Sequence, residues 1–477
     1  MRSTKNNAMI ESARDKVASL DLDGLKAAGF LPLHDLFFPA IYYPPLTMYS
    51  PMAEEQVLAG YVHNPAYPAS LYVHIPFCPT KCTFCHWTTS TNDSKEDIDK
   101  YLGYLEKEMA LWKLKLNAGS IAPTSILVGG GTPTLPSPQQ MSRYLTAIRK
   151  NFDLNRCVQF TVEAEPRTLL GQEGQEKLRV LKSCGVDRIS LGVQSFDDAM
   201  LKAMNRDHSA KEAIAAIQGI KTAGFKSLSI DLIYGYPSQS VDSWIDTLET
   251  AHQLPIDAYQ LYRLRIVPHG DKKGAIKHKY EKSPAPFGKL EDIYMMKAVG
   301  RAIAAKNGFN ESFRRIFSRT PQDRSEYLMD YCCNLNNVVG VGISSWSNLQ
   351  GRLVLNTSDG YKAYYDLIDK GKLPGNRGKL RSEDDERRRA LVLPLKNTCV
   401  IKENYKISTG MSVEEAFNGR LSKIKQYGFL EETPERLALS EKGKFFADET
   451  VMQFYHPSYL PFPKSEYAEG VLNPHNA

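Results

Sequence analysis

The sequence has few cysteines for its length, and it has no hydrophobic run long enough to cross a membrane. Eight cysteines in 477 residues are too sparse for a small secreted fold stapled by disulfides. No stretch approaches the roughly 20 consecutive apolar residues that a membrane helix needs. The first residues, Met-Arg-Ser-Thr-Lys-Asn-Asn, lack the apolar core of a secretory signal. These absences predict a cytoplasmic protein in a reducing compartment, without a membrane partner.

A strong excess of one charge is also missing, because the formal net charge is only +6. Basic residues do cluster in Arg377–Arg389, but the acidic run Glu383–Glu386 interrupts them. Mixed charges of this kind are typical of a solvated helix face rather than of a nucleic-acid-binding surface. With 42% hydrophobic residues, the chain is predicted to form a globular protein of two or three domains that does not bind nucleic acid.

Three of the cysteines, Cys78, Cys82 and Cys85, lie close together with three and then two residues between them. Thiolates are soft ligands that suit zinc or an iron-sulfur cluster. A structural zinc site needs a fourth ligand, and His86 follows Cys85 so directly that the two are poorly placed to reach one ion. We interpret the spacing as three ligands of a 4Fe-4S cluster whose fourth iron is open to another ligand.

Beyond the cysteines, short β-branched or apolar runs alternate with amphipathic stretches of helical length. The predicted strands are Leu71–Pro76, Ser125–Gly129, Val158–Ala164, Arg188–Val193, Ser227–Leu232 and Ala258–Ile266. The predicted helices between them are Lys95–Leu116, Ser137–Phe152, Gln172–Cys184, Ala210–Ala223 and Val241–Leu254. This alternation predicts an α/β fold with parallel strands joined by right-handed crossovers, either a barrel or a doubly wound sheet.

Polar residues at the ends of these strands favour the barrel. In strand order they are Cys78, Gly129–Thr132, Glu163 with Glu165, Gln194, Asp231, and Tyr262 with Arg265. Each alone could serve a turn, a cap or a buried backbone group. Because active sites gather where parallel strands end, six such groups in succession predict one shared pocket. The predicted fold is therefore a partial (β/α)6 barrel of the TIM type.

Several motifs follow one another along residues 70–268. They are Tyr72-Val-His-Ile-Pro-Phe-Cys78 with the cysteine motif, Gly129-Gly-Gly-Thr-Pro-Thr134, Thr161-Val-Glu-Ala-Glu-Pro-Arg167, Ser190-Leu-Gly-Val-Gln-Ser-Phe196, Asn205-Arg206 and Ile230-Asp-Leu-Ile-Tyr-Gly-Tyr-Pro237. In order and spacing they resemble radical S-adenosylmethionine (SAM) enzymes of the HemN-like family, which includes oxygen-independent coproporphyrinogen III oxidase. Independent motifs in register are far more specific than a single glycine-rich loop.

The resemblance implies a cluster held by Cys78, Cys82 and Cys85, with SAM chelated to the open iron. It also implies contacts to SAM: Tyr72 beside the cluster-bound SAM, Phe84 at the adenine, Gly129, Gly130, Gly131 and Thr132 at the methionine amino group, Glu163 and Gln194 at ribose or amino-acid groups, Arg206 at a carboxylate and Asp231 at a ribose. These residues are numerous enough for two SAM molecules. The resemblance further implies a small-molecule substrate and an electron donor such as flavodoxin or ferredoxin.

Three functions remain open for the reaction that follows SAM cleavage. The one we expect is two-SAM methyl or methylene transfer, including cyclopropanation, onto a small organic molecule. The second is coproporphyrinogen III oxidation or other porphyrin or heme chemistry, but the chain has Cys85-His86-Trp87 where true oxidases have Cys-Gly-Cys. The third is a heme chaperone of the same ancestry, which typically has an Asp-Phe pair at that place.

Composition and resemblance together divide the chain into four parts. Residues 1–69 form an N-terminal leader, whose apolar segment Leu31–Tyr43 is expected to pack on the barrel. Residues 70–268 form the radical SAM core, and residues 269–380 form a barrel extension that begins with a Lys- and Gly-rich link. Residues 381–477 form a small, mainly helical C-terminal domain with a tail rich in proline and aromatic residues, and the resemblance places this domain over the barrel mouth.

Overall fold

The computed structural model describes residues 3–116, 121–267 and 274–476. The strands are β1 (Ser50–Pro51), β2 (Ala69–Ile75), β3 (Pro123–Gly130), β4 (Gln159–Ala164), β5 (Arg188–Gln194), β6 (Ser227–Tyr234), β7 (Ala258–Arg263), β8 (Asn310–Phe313), β9 (Ile316–Ser318), β10 (Asn337–Val341), β11 (Trp346–Leu349), β12 (Arg352–Asn356), β13 (Gly375–Leu380), β14 (Cys399–Ile401), β15 (Leu430–Glu432) and β16 (Arg436–Leu439). The α-helices are α1 (Ser3–Ala18), α2 (Leu22–Ala27), α3 (Glu54–Val57), α4 (Lys95–Lys115), α5 (Pro138–Asn151), α6 (Gly171–Ser183), α7 (Asp198–Ala203), α8 (Ala210–Thr222), α9 (Val241–His252), α10 (Ala275–Lys282), α11 (Leu290–Lys306), α12 (Glu326–Cys332), α13 (Tyr361–Asp369), α14 (Glu383–Asn397), α15 (Lys402–Thr409), α16 (Val413–Gln426), α17 (Glu441–Phe445) and α18 (Ala447–Met452). Within these ranges, no helix combines the length and the apolar character that crossing a membrane would require.

Strands β2 to β7 are parallel and lie side by side in chain order. The crossovers between them carry α4, α5, α6, the pair α7 and α8, and α9. Four of these helices begin after a serine whose hydroxyl accepts a backbone N–H of the first turn, namely Ser94, Ser137, Ser209 and Ser240. Because such caps satisfy otherwise unpaired amides, the turns into the helices are encoded locally. The predicted α/β fold with parallel strands is confirmed.

The sheet continues on both sides of the parallel strands. On one side β10 pairs in parallel with β2, and β11, β12, β13 and β1 follow in antiparallel pairs. On the other side β9 and β8 extend the sheet beyond β7. The order from β1 to β8 describes a partial barrel of thirteen strands. The predicted boundary between residues 268 and 269 lies outside the described residues, and the division into four domains stays a prediction.

Helix α12 fills the end of the barrel at which the parallel strands begin. The carboxylate of its Asp330 accepts hydrogen bonds from the hydroxyls of Ser70, Thr124 and Ser125 at 2.7 to 3.1 Å. These hydroxyls lie near the first residues of β2 and β3, and they satisfy a carboxylate that would be costly to bury without donors. The predicted site residues lie toward the opposite end, where the strands finish.

The segment 31–49 of the leader runs between the barrel and the C-terminal helices. The Ala40 backbone N–H donates to Asp448 of α18 at 2.8 Å, and Lys396 of α14 donates to the Ala40 carbonyl at 2.6 Å. Lys396 and Asp448 also form an ion pair at 2.6 Å. Two C-terminal helices therefore hold this segment of the leader in place.

The C-terminal region is mainly helical, with α14 to α18 packed around a small sheet in the order β14, β16, β15. The tail that follows α18 packs onto the leader. The Tyr455 ring is only 2% exposed and meets the Tyr43 ring edge-on, with 4.9 Å between centroids. The aromatic residues at the start of the tail therefore belong to the hydrophobic core, at the place where the leader and the tail meet.

A buried carboxylate on α4, Glu108, joins this helix to the extension of the barrel. It accepts a hydrogen bond from the Gly342 N–H at 2.8 Å, from the Asn356 side-chain amide at 2.7 Å and from the Tyr364 hydroxyl. Burial raises the pKa of Glu108 to about 7, although these donors oppose the shift. The interaction links α4, β12 and α13 through one side chain.

Replacing Glu108 with alanine should lower the free energy of unfolding by about 3 kcal/mol or more, because three buried donors lose their acceptor. Denaturant titration followed by circular dichroism measures the loss. The matched control is Glu106→Ala on the same helix, which removes a half-exposed ion pair to Arg143 at 2.5 Å. We expect this control to lose less than about 1 kcal/mol, and equal losses in the two variants would contradict the role assigned to Glu108.

Candidate active site

The three cysteines lie on an irregular loop between β2 and α4, and backbone hydrogen bonds close its base. The Cys78 N–H donates to the Ser90 carbonyl at 2.8 Å, and the Ser90 N–H donates to the Pro76 carbonyl at 2.8 Å. We call residues 76–90 the cysteine loop. A loop closed at its base can present three thiols in a defined arrangement at the end of β2.

The outer part of the cysteine loop is fastened to the residues that follow α7. The Thr83 N–H donates to the Met204 carbonyl at 3.1 Å, and the Asn205 side-chain amide donates to the Lys81 carbonyl at 2.9 Å. The Thr83 hydroxyl also meets the Tyr236 hydroxyl at 2.7 Å. Asn205 has a φ of 57°, a left-handed conformation that asparagine tolerates better than most residues. The Asn-Arg motif therefore begins with a residue that anchors the loop.

The glycines at the end of β3 allow the strand to approach the cysteine loop closely. A Cβ atom on Gly131 would lie 2.7 Å from backbone atoms of the loop, and one on Gly129 would lie 2.5 Å from a Glu163 carboxylate oxygen. Gly130 has a φ of +108°, which side-chain-bearing residues rarely adopt. A side chain at Gly129, Gly130 or Gly131 would displace Glu163, the His74 ring or the cysteine loop, respectively.

Thr132 and Arg206 contact two of the three thiols directly. The Thr132 hydroxyl donates to the Cys78 sulfur at 3.6 Å, and Arg206 donates to the Cys82 sulfur at 3.1 Å. Burial raises the pKa of Cys78 to about 12, against the effect of Thr132, and burial also raises the pKa of Cys85. Partial burial of these thiols therefore disfavours their charged form, which a bound metal would stabilise.

A chain of polar contacts positions Arg206. Its guanidinium donates to the Gly192 carbonyl at 2.7 Å and lies 3.5 Å from Glu165, which meets Nδ1 of the buried His208 at 2.6 Å. The Nε atom of Arg206 is buried and has no hydrogen-bond partner among the described residues. A ligand carboxylate would satisfy it. The site prediction missed His208, although its short spacing from Arg206 could have indicated it.

Two partly buried carboxylates, Glu163 and Asp231, lie on β4 and β6 of the barrel. Burial raises the pKa of Asp231 to about 7, the negative charge of Glu163 adds to the shift, and Arg188 opposes it. Burial raises the pKa of Glu163 to about 6, against a hydrogen bond from the Gly130 N–H at 3.2 Å. Oδ1 of Asp231 is buried and lacks a hydrogen-bond partner in the part of the chain that the structure describes. These oxygens are suited to accept ligand hydroxyl groups.

The other predicted contact residues are Tyr72, Gln194 and Phe84. The Tyr72 hydroxyl hydrogen-bonds Nδ1 of His74 at 2.9 Å, and the charge of Glu163 helps to raise the Tyr72 pKa, so the two lie near each other. Gln194 ends β5 with a φ of 68°, a strained conformation for a non-glycine residue and one that clusters at functional sites. Phe84 is half-buried and packs against an apolar cluster at the rim of the barrel.

Two further arginines line the mouth of the barrel. Arg265, just after β7, stacks on the Phe38 ring at 4.8 Å, and Arg315, between β8 and β9, stacks on the Tyr262 ring at 4.6 Å. Burial lowers the pKa of Arg265 to about 9, and its Nη2 atom is buried without a hydrogen-bond partner among the residues described. The charge of Arg315 opposes the rise in the pKa of Asp231, so Arg315 lies near this carboxylate.

The donor set fits a cluster of several irons better than a single metal ion. Over residues 3–116, 121–267 and 274–476, no group of three or more His, Cys, Asp or Glu side chains gathers where one ion could bind. Three thiols spaced along one loop suit the separate irons of a 4Fe-4S cluster, which are held by cysteine thiolates. The unpaired Nε of Arg206 and Oδ1 of Asp231 would receive the polar groups of a ligand bound beside such a cluster.

Comparisons with known proteins agree with this geometry. The model of the radical SAM superfamily matches residues 72–251. Heme chaperone HemW of Lactococcus lactis is 32% identical over 290 residues, which cover 60% of this chain and 70% of that protein. Oxygen-independent coproporphyrinogen III oxidase of Cereibacter sphaeroides is 29% identical over 351 residues, which cover 70% of this chain and 74% of that protein. The solved structure of coproporphyrinogen III oxidase (HemN) from Escherichia coli, 24% identical, has a TM-score of 0.75 and covers 87% of this chain and 96% of that one.

The structural similarity confirms the predicted barrel fold with its helical C-terminal region. The family match confirms a radical SAM enzyme whose cofactors are a 4Fe-4S cluster and SAM. The expected likeness to methyltransferases finds no support, because these relatives carry the names of an oxidase and a heme chaperone. The chain belongs to the radical SAM superfamily, in the HemN-like family of coproporphyrinogen III oxidases and HemW heme chaperones.

Proposed function

We propose that the chain oxidises a tetrapyrrole at its carboxylate-bearing side chains, and it is similar to proteins named coproporphyrinogen III oxidase. The observation that carries the proposal is the unpaired Nη2 of Arg265, beside which Arg315 adds a second cation near the barrel mouth. A buried guanidinium with a free donor favours a ligand carboxylate, because their geometries match and the hydrogen bond is charge-assisted. A porphyrinogen carries several such carboxylates on its rim.

The predicted site residues take the following roles in this proposal. Cys78, Cys82 and Cys85 hold the cluster. SAM is surrounded by the other predicted site residues, which are Tyr72, Phe84, Gly129, Gly130, Gly131, Thr132, Glu163, Gln194, Arg206 and Asp231. Binding of a second SAM molecule stays a prediction. When bound, these cofactors supply a 5′-deoxyadenosyl radical that removes one hydrogen atom from the substrate side chain. Loss of CO2, with one electron passing to an external acceptor, then converts a propionate into a vinyl group.

The residues of the chain bind and orient the two ligands. Arg206 offers its free Nε to the SAM carboxylate while Gly192 and Glu165 keep the guanidinium in place. Asp231 offers its free Oδ1 to a ribose hydroxyl. On the substrate side, Phe38 covers Arg265 and excludes water, which strengthens the attraction between the arginine and a carboxylate.

Methyl or methylene transfer from a second SAM remains a second candidate, and one observation favours it. Cys85-His86-Trp87 stands where true oxidases are expected to have Cys-Gly-Cys, and Nε2 of His86 lies 2.9 Å from the Arg265 carbonyl. The His86 imidazole therefore lies beside Arg265, the arginine that we propose binds the substrate. The HemW relatives make heme binding without catalysis a third candidate.

Incubation of the anaerobically reconstituted enzyme with SAM, a reductant and coproporphyrinogen III should yield 5′-deoxyadenosine, CO2 and vinyl-containing product. Mass spectrometry and CO2 detection measure all three. Formation of S-adenosylhomocysteine with a methylated product would overturn the oxidase proposal in favour of methyl transfer. Stoichiometric heme binding without SAM cleavage would overturn it in favour of the chaperone.

The variant Arg265→Gln should raise the KM for the porphyrinogen at least about tenfold, because a charge-assisted hydrogen bond to a carboxylate contributes about 1.5–3 kcal/mol. Steady-state kinetics measure the change, and SAM cleavage without substrate should be unaffected. The matched control is Arg319→Gln, because Arg319 stacks on Phe309 at 4.3 Å and donates to the Ile256 carbonyl instead. An unchanged KM in Arg265→Gln would refute the assignment of Arg265 to substrate binding.

The affinity for SAM should increase as the pH rises from 5.5 to 8. The pKa values of about 6 for Glu163 and about 7 for Asp231 mean that both carboxyls become ionised over this range. Ionised carboxylates accept hydrogen bonds better and attract the positively charged sulfonium and ammonium groups of SAM. Equilibrium dialysis with cluster-loaded enzyme at each pH gives the profile.

The variant Asp231→Asn should flatten this profile and weaken SAM binding at pH 8. Asp246→Asn, on the exposed face of α9, is the control and should retain the wild-type slope. A slope that is identical in wild type and Asp231→Asn would show that Asp231 does not contribute to SAM binding.

A further inference from the structure

Three exposed lysines from three different elements surround the cysteine loop. Lys81 belongs to the loop, Lys202 to α7 and Lys279 to α10. Asn205 joins the first two, because its side-chain amide donates to the Lys81 carbonyl at 2.9 Å and its backbone N–H donates to the Lys202 carbonyl at 3.1 Å. Lys81 and Lys202 are therefore held beside each other by the same residue that anchors the loop.

Helix α10 brings the third lysine to the same surface. Its Ile276 is fully buried in an apolar cluster with Tyr236, and Phe84 of the cysteine loop packs against this cluster. The Nζ atom of Lys279 lies 5.8 Å from the centre of the Tyr236 ring, whose hydroxyl meets Thr83 of the loop. The position of Lys279 is thus coupled to the residues between Cys82 and Cys85.

The neighbouring acidic residues are engaged elsewhere and do not neutralise these lysines. Glu281 of α10 lies 3.7 Å from Lys277, and Asp207 lies 2.8 Å from Arg167. Asp198 accepts the Ala210 N–H at 2.7 Å and so caps α8. The surface around the cysteine loop consequently keeps a local positive charge, although the whole chain has a formal net charge of only +6.

The cysteine loop also exposes an aromatic side chain. Trp87 is 50% exposed, whereas the other three tryptophans of the chain are at most 5% exposed. Burial raises the pKa of Cys85 and a backbone hydrogen bond from Trp87 opposes this rise, so the Trp87 backbone lies at the thiol. Exposed tryptophans are enriched at the centres of protein interfaces, where they supply a large part of the binding energy.

We propose that Lys81, Lys202, Lys279 and Trp87 form the docking surface for an acidic one-electron carrier protein. The proposal rests on the proposed function, because reductive cleavage of one SAM consumes one electron, and the carrier is oxidised by that one electron. A positive surface with an exposed aromatic residue on the same loop as Lys81 complements an acidic protein surface and steers its approach. Docking there would bring the carrier's redox centre next to the loop that holds the cluster.

Binding of a strongly acidic flavodoxin to the cluster-loaded enzyme tests this surface by isothermal titration calorimetry. In wild type, the Kd should increase at least tenfold between 50 mM and 500 mM salt, because exposed charge pairs are screened. At 50 mM salt, Lys202→Glu with Lys279→Glu should weaken binding at least tenfold. The matched control is Lys113→Glu with Lys150→Glu, which lowers the net charge equally at the last turns of α4 and α5, on the opposite end of the barrel.

Further measurements separate docking from folding and from chemistry. Cluster content and dithionite-driven SAM cleavage should be the same in both charge-reversed variants, and Trp87→Ala should weaken flavodoxin binding at both salt concentrations. Equal weakening in the patch and control variants, or wild-type binding that does not respond to salt, would overturn the proposal. If dithionite fails to cleave SAM in wild type, the proposed function fails, while the binding titration still decides the docking surface.

Discussion

The attachment of the cysteine loop to its two neighbours is the constraint on which the rest of the candidate site depends. The loop has no regular structure, and it is held by the glycine-rich end of β3 on one side and by Met204 and Asn205 on the other. The two sides also deliver Thr132 and Arg206 to the thiols. The same contacts that order the loop therefore fix the direction from which a ligand can approach the cluster.

Charged side chains lie at both ends of the barrel, and their hydrogen bonding differs between the two ends. At the end where the strands begin, Asp330 is surrounded by hydroxyl donors and serves to close the barrel. At the end where they finish, Asp231 and Arg265 each keep an unpaired buried atom. Burying such atoms opposes folding, so their presence beside the predicted site residues indicates where a ligand would bind. The end at which the strands begin is held by the hydrogen bonds of Asp330, and the end at which they finish offers unpaired polar atoms to a ligand.

The parallel core of the fold could be predicted from the sequence because its signals are local. The predicted strand Arg188–Val193 differs from β5 by a single residue, and serine caps mark the starts of the crossover helices. The pairing of β10 with β2 could not be predicted, because it joins residues far apart in the chain. The short helix α7 was missed because six residues are too few to show a helical period.

The candidate site likewise contains residues that could be predicted from the sequence and residues that could not. Residues within motifs, such as Glu163 and Arg206, were predicted at the barrel end where the structure places them, and their individual roles remain proposals. Arg315 was not predicted, because a lone arginine between two short strands carries no pattern and reaches the mouth only through the pairing of β9 with β7. Phe38 likewise meets Arg265 only because the leader folds back over the barrel.

The hydrogen bonds that hold Ala40 have a consequence for folding during synthesis of the chain. Ala40 and Asp448 are 408 positions apart, so the apolar segment 31–49 leaves the ribosome long before α18 exists to cover its outer face. Contacts of such sequence separation form late and slowly. A nascent chain that stops short of α18 would contain every cofactor-binding motif and still lack Asp448, the acceptor that holds Ala40. Synthesis of α18 is thus the step that completes the packing of the leader.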